Sequence, residues 1–255
     1  MRRSLIWFVL LALSTPTLAQ EERRQSGGPL PLEESPPRLS YGFETDFNSR
    51  YVWRGLTLSG GAVQQSAAWV TKGPLTYTLW SNFVLGKGEN RGRFDEVDLT
   101  IAYSREGKHF NFQPSLNVYL YPQGTADPTA ELTLRFTRPF GPAQLFTSQS
   151  IDFIEGRGAY FGEVGVERER QIGDHLTLKG CLSVGWASKR FTDFNVGLSH
   201  AGLHVVGGQM ALNYQGKGFY VRPHVGMTAL LSSKVRDQVE DPSLFSFGLA
   251  VGKAW

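Results

Sequence analysis

Charged side chains recur at every second position in several segments of the chain, and this spacing places them on one face of a β-strand. In the segment Ser40–Arg54, the residues Glu44, Asp46, Arg50 and Arg54 share one face, while aromatic and apolar side chains occupy the other. Rows that mix both signs of charge suit the guiding of ions and polar solutes. The pattern is therefore more typical of a protein that selects solutes than of an enzyme.

The same alternation through the rest of the chain predicts a larger set of inward-facing charges with one histidine. These residues are Glu44, Asp46, Arg50, Arg54, Glu96, Asp98, Glu131, Arg135, Asp152, Glu163, Lys179, Arg222 and His224. Charges facing lipid are costly, so this face must meet water or opposite charges. We interpret the set as pore-lining. The mixed signs leave open a lumen closed by ion pairs, for example Arg50 or Arg54 with Glu96 or Asp98.

Antiparallel β-strands are the elements that must position these side chains. Apolar residues do not recur at helical spacing, and 29 Gly and 13 Pro interrupt the chain. The predicted strands are 40–54, 63–71, 75–85, 94–104, 109–121, 129–137, 143–153, 158–168, 176–187, 205–214, 219–231 and 244–255. We predict an all-β fold, a transmembrane antiparallel up-and-down β-barrel of about twelve strands, with a soluble β-sandwich as the structural alternative. Roughly twelve strands enclose a narrow passage at most.

Connections between the predicted strands alternate in length. Tight turns such as Lys72–Pro74 alternate with longer segments that include Ser188–His200 and Ser232–Pro242. Short periplasmic turns and longer external loops are typical of such barrels, so both termini are expected in the periplasm. Pro114 predicts a bulge or a locally missing ladder bond in the fifth strand. Arg54–Gly55 at the end of the first strand can instead fold inward as a constriction.

The first residues have the features of an export signal. Arg2 and Arg3 precede the apolar run Leu5–Leu13, and Thr17-Leu18-Ala19 forms a small-residue cleavage site. We predict a cleavable signal peptide over residues 1–19, a disordered Pro-rich periplasmic leader over 20–39 and the barrel over 40–255. Insertion into the lipid of a bacterial outer membrane follows from these features.

Several other function classes are disfavoured. The chain has 26 Lys and Arg against 23 Asp and Glu, and loss of the signal peptide removes two arginines, so no basic stripe for nucleic acid is expected. Cys181 cannot form an internal disulfide. No cofactor or metal motif is present, and we assign no catalytic residue. Ser199 and His200 are adjacent, so in a strand they would point to opposite faces, which leaves a membrane-embedded lipid hydrolase as the weakest alternative.

The last strand ends on Trp255 and carries small residues on one face and apolar residues on the other. It resembles the terminal signal recognised by the outer-membrane barrel-assembly machinery, which is therefore an expected partner. Lys253 stands at an outward position where such signals usually have an apolar residue. Near the membrane interface an outward lysine costs only about 0 to 1 kcal/mol.

Residues 47–86 contain Ser49, Tyr51, Arg54 and Gly55, followed in the next hairpin by Trp80-Ser81-Asn82. This S-x-Y-x-x-R-G segment resembles the opening of the TorF-like porins of Gram-negative bacteria. The resemblance implies a porin-like channel, and we predict passive diffusion of small hydrophilic solutes or ions. A monomer is the default expectation, and we hypothesise that Arg50 and Arg54 contribute a positive element to the passage. A closed structural barrel, or a receptor that binds partners through its two long loops, remains the alternative.

Overall fold

The computed structural model describes residues 39–87 and 90–255, which form strands and two short helices. The strands are β1 (Leu39–Asn48), β2 (Tyr51–Trp53), β3 (Leu56–Ser59), β4 (Val63–Lys72), β5 (Leu75–Val84), β6 (Phe94–Tyr103), β7 (Arg105–Glu106), β8 (Asn111–Leu120), β9 (Thr129–Phe140), β10 (Ala143–Asp152), β11 (Tyr160–Gly173), β12 (Leu176–Ala187), β13 (Gly202–Gln215), β14 (Tyr220–Leu230) and β15 (Ser243–Ala254); the helices are α1 (Lys189–Val196) and α2 (Ser233–Arg236). In these ranges neither helix has the length and hydropathy needed to cross a membrane. The predicted signal peptide and leader lie outside the described residues, except that Leu39, expected in the leader, begins β1.

Twelve strands of the described ranges close into one antiparallel barrel, namely β1, β4, β5, β6 and β8 to β15. Strand β1 pairs with both β4 and the last strand β15, and β6 pairs with β8. The sheet thereby closes on itself, which removes the exposed edges that an open sheet presents. The short strand β7 continues β6 alongside β8, and β2 with β3 forms a separate hairpin. The predicted transmembrane up-and-down barrel is confirmed.

Side chains alternate between the inner and outer walls of the barrel. On β6, Glu96 and Asp98 are each 6% exposed and face the interior, whereas Leu99 and Ile101 are 46% and 44% exposed on the outside. Exposed aromatic residues on barrel strands include Tyr41, Phe43, Phe47, Tyr77, Phe94, Tyr103, Phe140, Tyr214, Phe245 and Phe247. An apolar outer wall around a polar interior is the arrangement of a barrel embedded in lipid.

The two ends of the barrel differ in their connections. At the end that carries Leu39 and Trp255, called the turn end, β4–β5, β9–β10 and β11–β12 are joined by tight turns such as Gly73–Pro74. At the opposite end, called the loop end, residues 49–62, 188–201 and 231–242 form longer connections that contain the hairpin, α1 and α2. The short and long connections alternate as predicted, although neither helix was expected.

Pro114 lies inside β8, and the ladder there is interrupted without a change of register. Ala102 pairs with Ser115, and Arg105 pairs with Phe112. In the described ladder along this side of β8, residues 103 and 104 form no pair with residues 113 and 114. The missing proline N–H explains the gap. Of the two expected outcomes, the locally missing ladder bond is the one found.

The first predicted strand is wrong beyond Asn48, where β1 ends. A bend turns the chain into the lumen, so Tyr51 and Trp53, which the alternation places on the outer aromatic face, begin the hairpin β2–β3 instead. Tyr51 is 5% exposed there. The alternative interpretation, in which Arg54–Gly55 folds inward, is confirmed. The physical reason is that both side chains find aromatic partners inside the barrel, since the Tyr51 ring centre lies 5.6 Å from that of Trp80 on β5 and the Trp53 ring centre lies 5.7 Å from that of Phe191 on α1.

Candidate functional site

The hairpin turn is made by Arg54 and Gly55, both in the left-handed region with φ of 50° and 82°. Two consecutive positive φ angles are typical of the tight two-residue turns that join antiparallel strands. A Cβ on Gly55 would approach Val205 Cγ2 to 2.7 Å, so glycine is also required by close approach to the wall. Arg54 in this region costs about 1 to 2 kcal/mol, and strong contacts elsewhere must offset that cost.

Those contacts are made by the Arg54 guanidinium. Its Nη1 and Nη2 donate hydrogen bonds of 2.7 Å to the two carboxylate oxygens of Glu131 on β9, and the two side chains are only 11% and 5% exposed. The guanidinium carbon also lies 4.4 Å from the Trp53 ring centre and 4.6 Å from that of Phe161. Burial alone would lower the pKa of Arg54, but the Glu131 charge and hydrogen bonds outweigh burial and raise it. The hairpin tip is thus anchored by a charged bidentate pair.

Apolar contacts fix the two sides of the hairpin. One group, the wall cluster, consists of Tyr51, Val63, Ala67, Trp69 and Trp80; another, the loop-end cluster, consists of Leu56, Ala159, Phe161, Ala187, Phe191, Val205, Leu230 and Val235. Trp53 packs against both clusters. Because the wall cluster includes β4 and β5 and the loop-end cluster includes β11 to β14, the hairpin crosses the lumen from one wall to the other.

Helix α1 covers the hairpin from the loop end. The Ser188 hydroxyl caps the helix by accepting a hydrogen bond of 3.2 Å from the Phe191 N–H, and Gly197 ends it in the left-handed region. Phe191 is 1% exposed, with its ring centre 5.7 Å from Trp53 and 5.3 Å from Phe161. These contacts give the loop end an apolar seal.

A cavity of about 100 Å³, called the chamber, lies beneath the hairpin, and its lining combines polar groups with apolar side chains such as Trp53, Phe161 and Val205. Residues 52–55 line it from the hairpin, and the barrel wall contributes hydroxyl, amide and charged groups. The wall residues include Thr100, Gln113, Ser115, Asn117, Glu131, Thr133, Arg135, Ser148, Ser150, Glu163, Ser183 and Thr228. The hairpin therefore lies between this chamber and the rest of the loop-end cluster.

Most of the predicted pore-lining residues lie on the inner wall, and their role in conduction remains a prediction. These are Glu44, Asp46, Glu96, Asp98, Glu131, Arg135, Asp152, Glu163, Lys179, Arg222 and His224. Asp152 stabilises the β10–β11 connection, because its carboxylate accepts hydrogen bonds from Thr129 Oγ1 at 2.6 Å and the Ile154 N–H at 3.0 Å.

Arg50 is not on the inner wall. It lies in the bend after β1, where Nη1 is 3.6 Å from the Asp241 carboxylate in the connection before β15. The example pairs of Arg50 or Arg54 with Glu96 or Asp98 are also wrong, since the partners are Asp241 and Glu131. The end of β1 at Asn48 explains the difference, because every later residue leaves the strand direction from which the pairs were inferred.

An ionic cluster joins the first and last parts of the barrel. Arg222 Nη2 on β14 donates hydrogen bonds of 2.7 Å to both Glu44 carboxylate oxygens on β1, and the Tyr220 hydroxyl also donates to Glu44. The intervening strand β15 places Ala250 and Gly252 at this level. A Cβ on Gly252 would meet the Tyr220 ring, so small inward residues on β15 permit the bridge.

Two lumen carboxylates, Glu167 and Glu169, are absent from the predicted set. Glu167 accepts a hydrogen bond of 3.2 Å from Arg135 Nη2, and Glu169 lies 3.1 Å from Lys179 Nζ. The signal was present, since both share parity with Glu163 in the run Glu167-Arg168-Glu169-Arg170. The structure extends β11 to Gly173, placing the two acids inside and Arg168 and Arg170 on the exposed outer face.

The residues considered for catalysis or metal binding are not brought together. Within residues 39–87 and 90–255, none of the serine hydroxyls is hydrogen-bonded to a histidine ring, and His200 is contacted through its backbone by Thr192. The same ranges contain no cluster of three metal-ligating side chains. His224 instead lies 3.0 Å from the Asp46 carboxylate.

Comparison of the fold finds outer-membrane barrels. The chain is similar to the KdgM porin in complex with disordered oligogalacturonate (7% identity, TM-score 0.51, covering 84% of this chain and 98% of that one). It is also similar to the NanC porin (11%, 0.51, 83% and 98%) and to an outer membrane channel from Pseudomonas putida F1 (9%, 0.51, 92% and 100%). The likeness shows the fold. No protein-family model and no curated protein matches the chain, so membership of the TorF-like porins stays a prediction.

Proposed function

We propose that the protein is a narrow outer-membrane channel for passive diffusion of small hydrophilic solutes or ions. The observation that carries this proposal is the chamber beneath the hairpin, to which the inner wall contributes charged, amide and hydroxyl groups while the outer wall of the barrel is apolar. Known barrels of the same fold that are named as porins and channels add support. The protein would act without a cofactor, as a monomer.

Buried polar atoms of the inner wall support a hydrated passage. Among the described residues, Asp98 Oδ1, Glu167 Oε1, Arg222 Nε and both Nε and Nη1 of Arg135 have no protein hydrogen-bond partner. An unsatisfied buried polar group costs about 1 to 3 kcal/mol, and more when it is charged. Water or a polar solute inside the barrel removes that cost.

We further propose that the turn end faces the periplasm and that the loop end faces outward. The alternation of tight turns and long connections supports this orientation. At the turn end Trp255 stacks on Tyr41 with ring centres 5.2 Å apart, and Lys253 Nζ lies 4.5 Å from the Trp255 ring centre. An exposed terminal aromatic residue at this edge suits recognition of β15 by the barrel-assembly machinery.

A barrel that stays closed is the second candidate, because the hairpin and the loop-end cluster cross the lumen. The two candidates differ in whether the hairpin moves. A receptor role would use the same long connections, but α1 and α2 are packed into the loop-end cluster through Phe191 and Val235. A lipid hydrolase finds no specific support in the described residues.

Liposome swelling with refolded protein tests the proposal. We expect uptake of glycerol and other small polar solutes and exclusion of a trisaccharide, because the chamber volume is only about 100 Å³. Single-channel steps in a planar bilayer should accompany the swelling. Protein-free liposomes and liposomes with heat-denatured protein are the controls. Absence of both swelling and current steps with correctly folded barrel would overturn the channel and favour the closed candidate.

A further inference from the structure

Three inward residues form a row across neighbouring strands in the chamber. Ser148 on β10 is paired with Arg135 on β9 and with Glu163 on β11, and all three line the cavity. Neighbouring strands are about 4.8 Å apart, so the backbones that carry the two charges are separated by roughly 10 Å, with a short hydroxyl side chain between them. We call Arg135, Ser148 and Glu163 the chamber row.

The cationic end of the row is held in place but retains free donors. Arg135 is 6% exposed, its guanidinium carbon lies 4.0 Å from the Phe146 ring centre, and its Nη2 binds Glu167. Nε and Nη1 have no hydrogen-bond partner within residues 39–87 and 90–255. Stacking and one ion pair fix the guanidinium, and the remaining N–H groups can bind an anionic group without further ordering.

The anionic end of the row is Glu163. Its carboxylate takes part in none of the ion pairs formed by the described part of the chain, although Arg135 and Arg54 are close enough to interact with it electrostatically. Both arginines are instead bound to other carboxylates, Glu167 and Glu131. A cationic group beside Glu163 would therefore gain a charge-assisted hydrogen bond without breaking an existing pair.

We propose that the chamber row is a binding subsite for a small zwitterion of the free α-amino acid type. The solute carboxylate binds Arg135 Nε or Nη1, its ammonium group binds Glu163, and the Ser148 hydroxyl lies between them. This inference rests on the proposed channel function and names a solute class for it. A neutral solute leaves Glu163 without a charged partner and Arg135 Nε and Nη1 without a charged acceptor, and an anion alone meets the uncompensated Glu163 carboxylate.

The dimensions of the chamber limit the amino acid side chain. A dry cavity of about 150 Å³ holds benzene, so the chamber of about 100 Å³ suits glycine or alanine and excludes large aromatic amino acids. Trp53 and Phe161 lie above the row and close the space in which a longer side chain would extend.

Saturation-transfer NMR titration of the full refolded barrel in detergent tests the subsite. We expect saturable binding of glycine and alanine, with glycolate, ethanolamine and phenylalanine at least about tenfold weaker because each loses one charged contact or exceeds the space. Glu163→Gln should weaken glycine binding by about tenfold, while Glu163→Asp, which keeps the charge, should lose less. Glu169→Gln is the matched control, since it makes the same substitution on the same strand at an inward carboxylate that does not line the chamber, and it should leave glycine binding unchanged.

The outcomes separate the subsite from the channel. Glycolate binding as tightly as glycine, or equal glycine affinity in Glu163→Gln and wild-type protein, would overturn the zwitterion subsite. Absence of glycine binding in a barrel that still conducts would also overturn the subsite while leaving the channel intact. Glycine binding without swelling or current would support the subsite and refute free passage.

Discussion

Breaking the Arg54–Glu131 pair should open the lumen. Both hydrogen bonds are 2.7 Å, and the side chains are 11% and 5% exposed, so solvent screens the pair weakly. Removing one partner of a buried pair destabilises it by about 3 to 5 kcal/mol, because the other charge is left buried and uncompensated. Since about 1.4 kcal/mol corresponds to tenfold, Arg54→Ala or Glu131→Gln should raise the ratio of open to closed hairpin by roughly 10² to 10³ or more.

Single-channel recording in a planar bilayer measures this change as mean conductance and open fraction. Lys179→Ala provides the matched control, since the Lys179–Glu169 pair at 3.1 Å is similarly buried, with exposures of 12% and 15%, but does not contact the hairpin. It should leave the open fraction unchanged. The double variant Arg54→Ala, Glu131→Gln removes both charges and should open less than either single variant.

A heat-modifiability gel establishes that each variant has folded before its current is compared. Equal open fractions in wild-type protein and both single variants would refute the anchoring of the hairpin by this pair. A double variant that opens as much as the product of the single effects would refute the electrostatic origin, because two independent losses would then explain the result.

Two further predictions concern selectivity and stability. Arg54→Ala combined with Arg50→Ala should shift the reversal potential in a salt gradient toward cations, because Glu131 is left unpaired; Arg50→Ala alone should shift it less, since Arg50 lies outside the inner wall. Unchanged reversal potentials would contradict a role for these charges in the passage. Arg222→Ala should lower the free energy of unfolding by about 3 to 5 kcal/mol in a urea titration, because it leaves Glu44 buried without its cation. A Glu44→Gln, Arg222→Met variant should recover much of that loss, because it leaves no buried charge. If the double variant and Arg222→Ala lose the same free energy of unfolding, the lost packing of Arg222 explains the loss better than the unpaired charge.

The alternation of polar and apolar residues was sufficient to predict the strands and most of the inner wall. Strands β12 and β4 begin where expected, at Leu176 and Val63, and the inward parity of Glu96 and Asp98 is correct. Parity is a local property that each strand retains whatever its neighbours are. The same parity places Glu167 inward within the predicted strand 158–168, and Glu169 would have been found by extending that strand.

The hairpin could not be predicted with the same certainty, because its residues continue the parity of β1. Tyr51 and Trp53 look like further outward aromatic residues, and only the partners Trp80 and Phe191, distant in sequence, draw them inward. The choice of Glu131 as the partner of Arg54 likewise depends on where the turn places the guanidinium. Helix α1 is short, and its packing through Phe191 supplies stability that local sequence does not reveal.

The alternating charges of β11 also constrain how the barrel can assemble. A slip of one residue would exchange the faces of the strand. It would break the Arg135–Glu167 and Lys179–Glu169 pairs and move Arg168 and Arg170 into a lumen that already holds Arg135 and Lys179. Both changes raise the free energy of the misregistered barrel, so the observed register is favoured. The charges of β11 therefore favour a single register of this strand with β10 and β12.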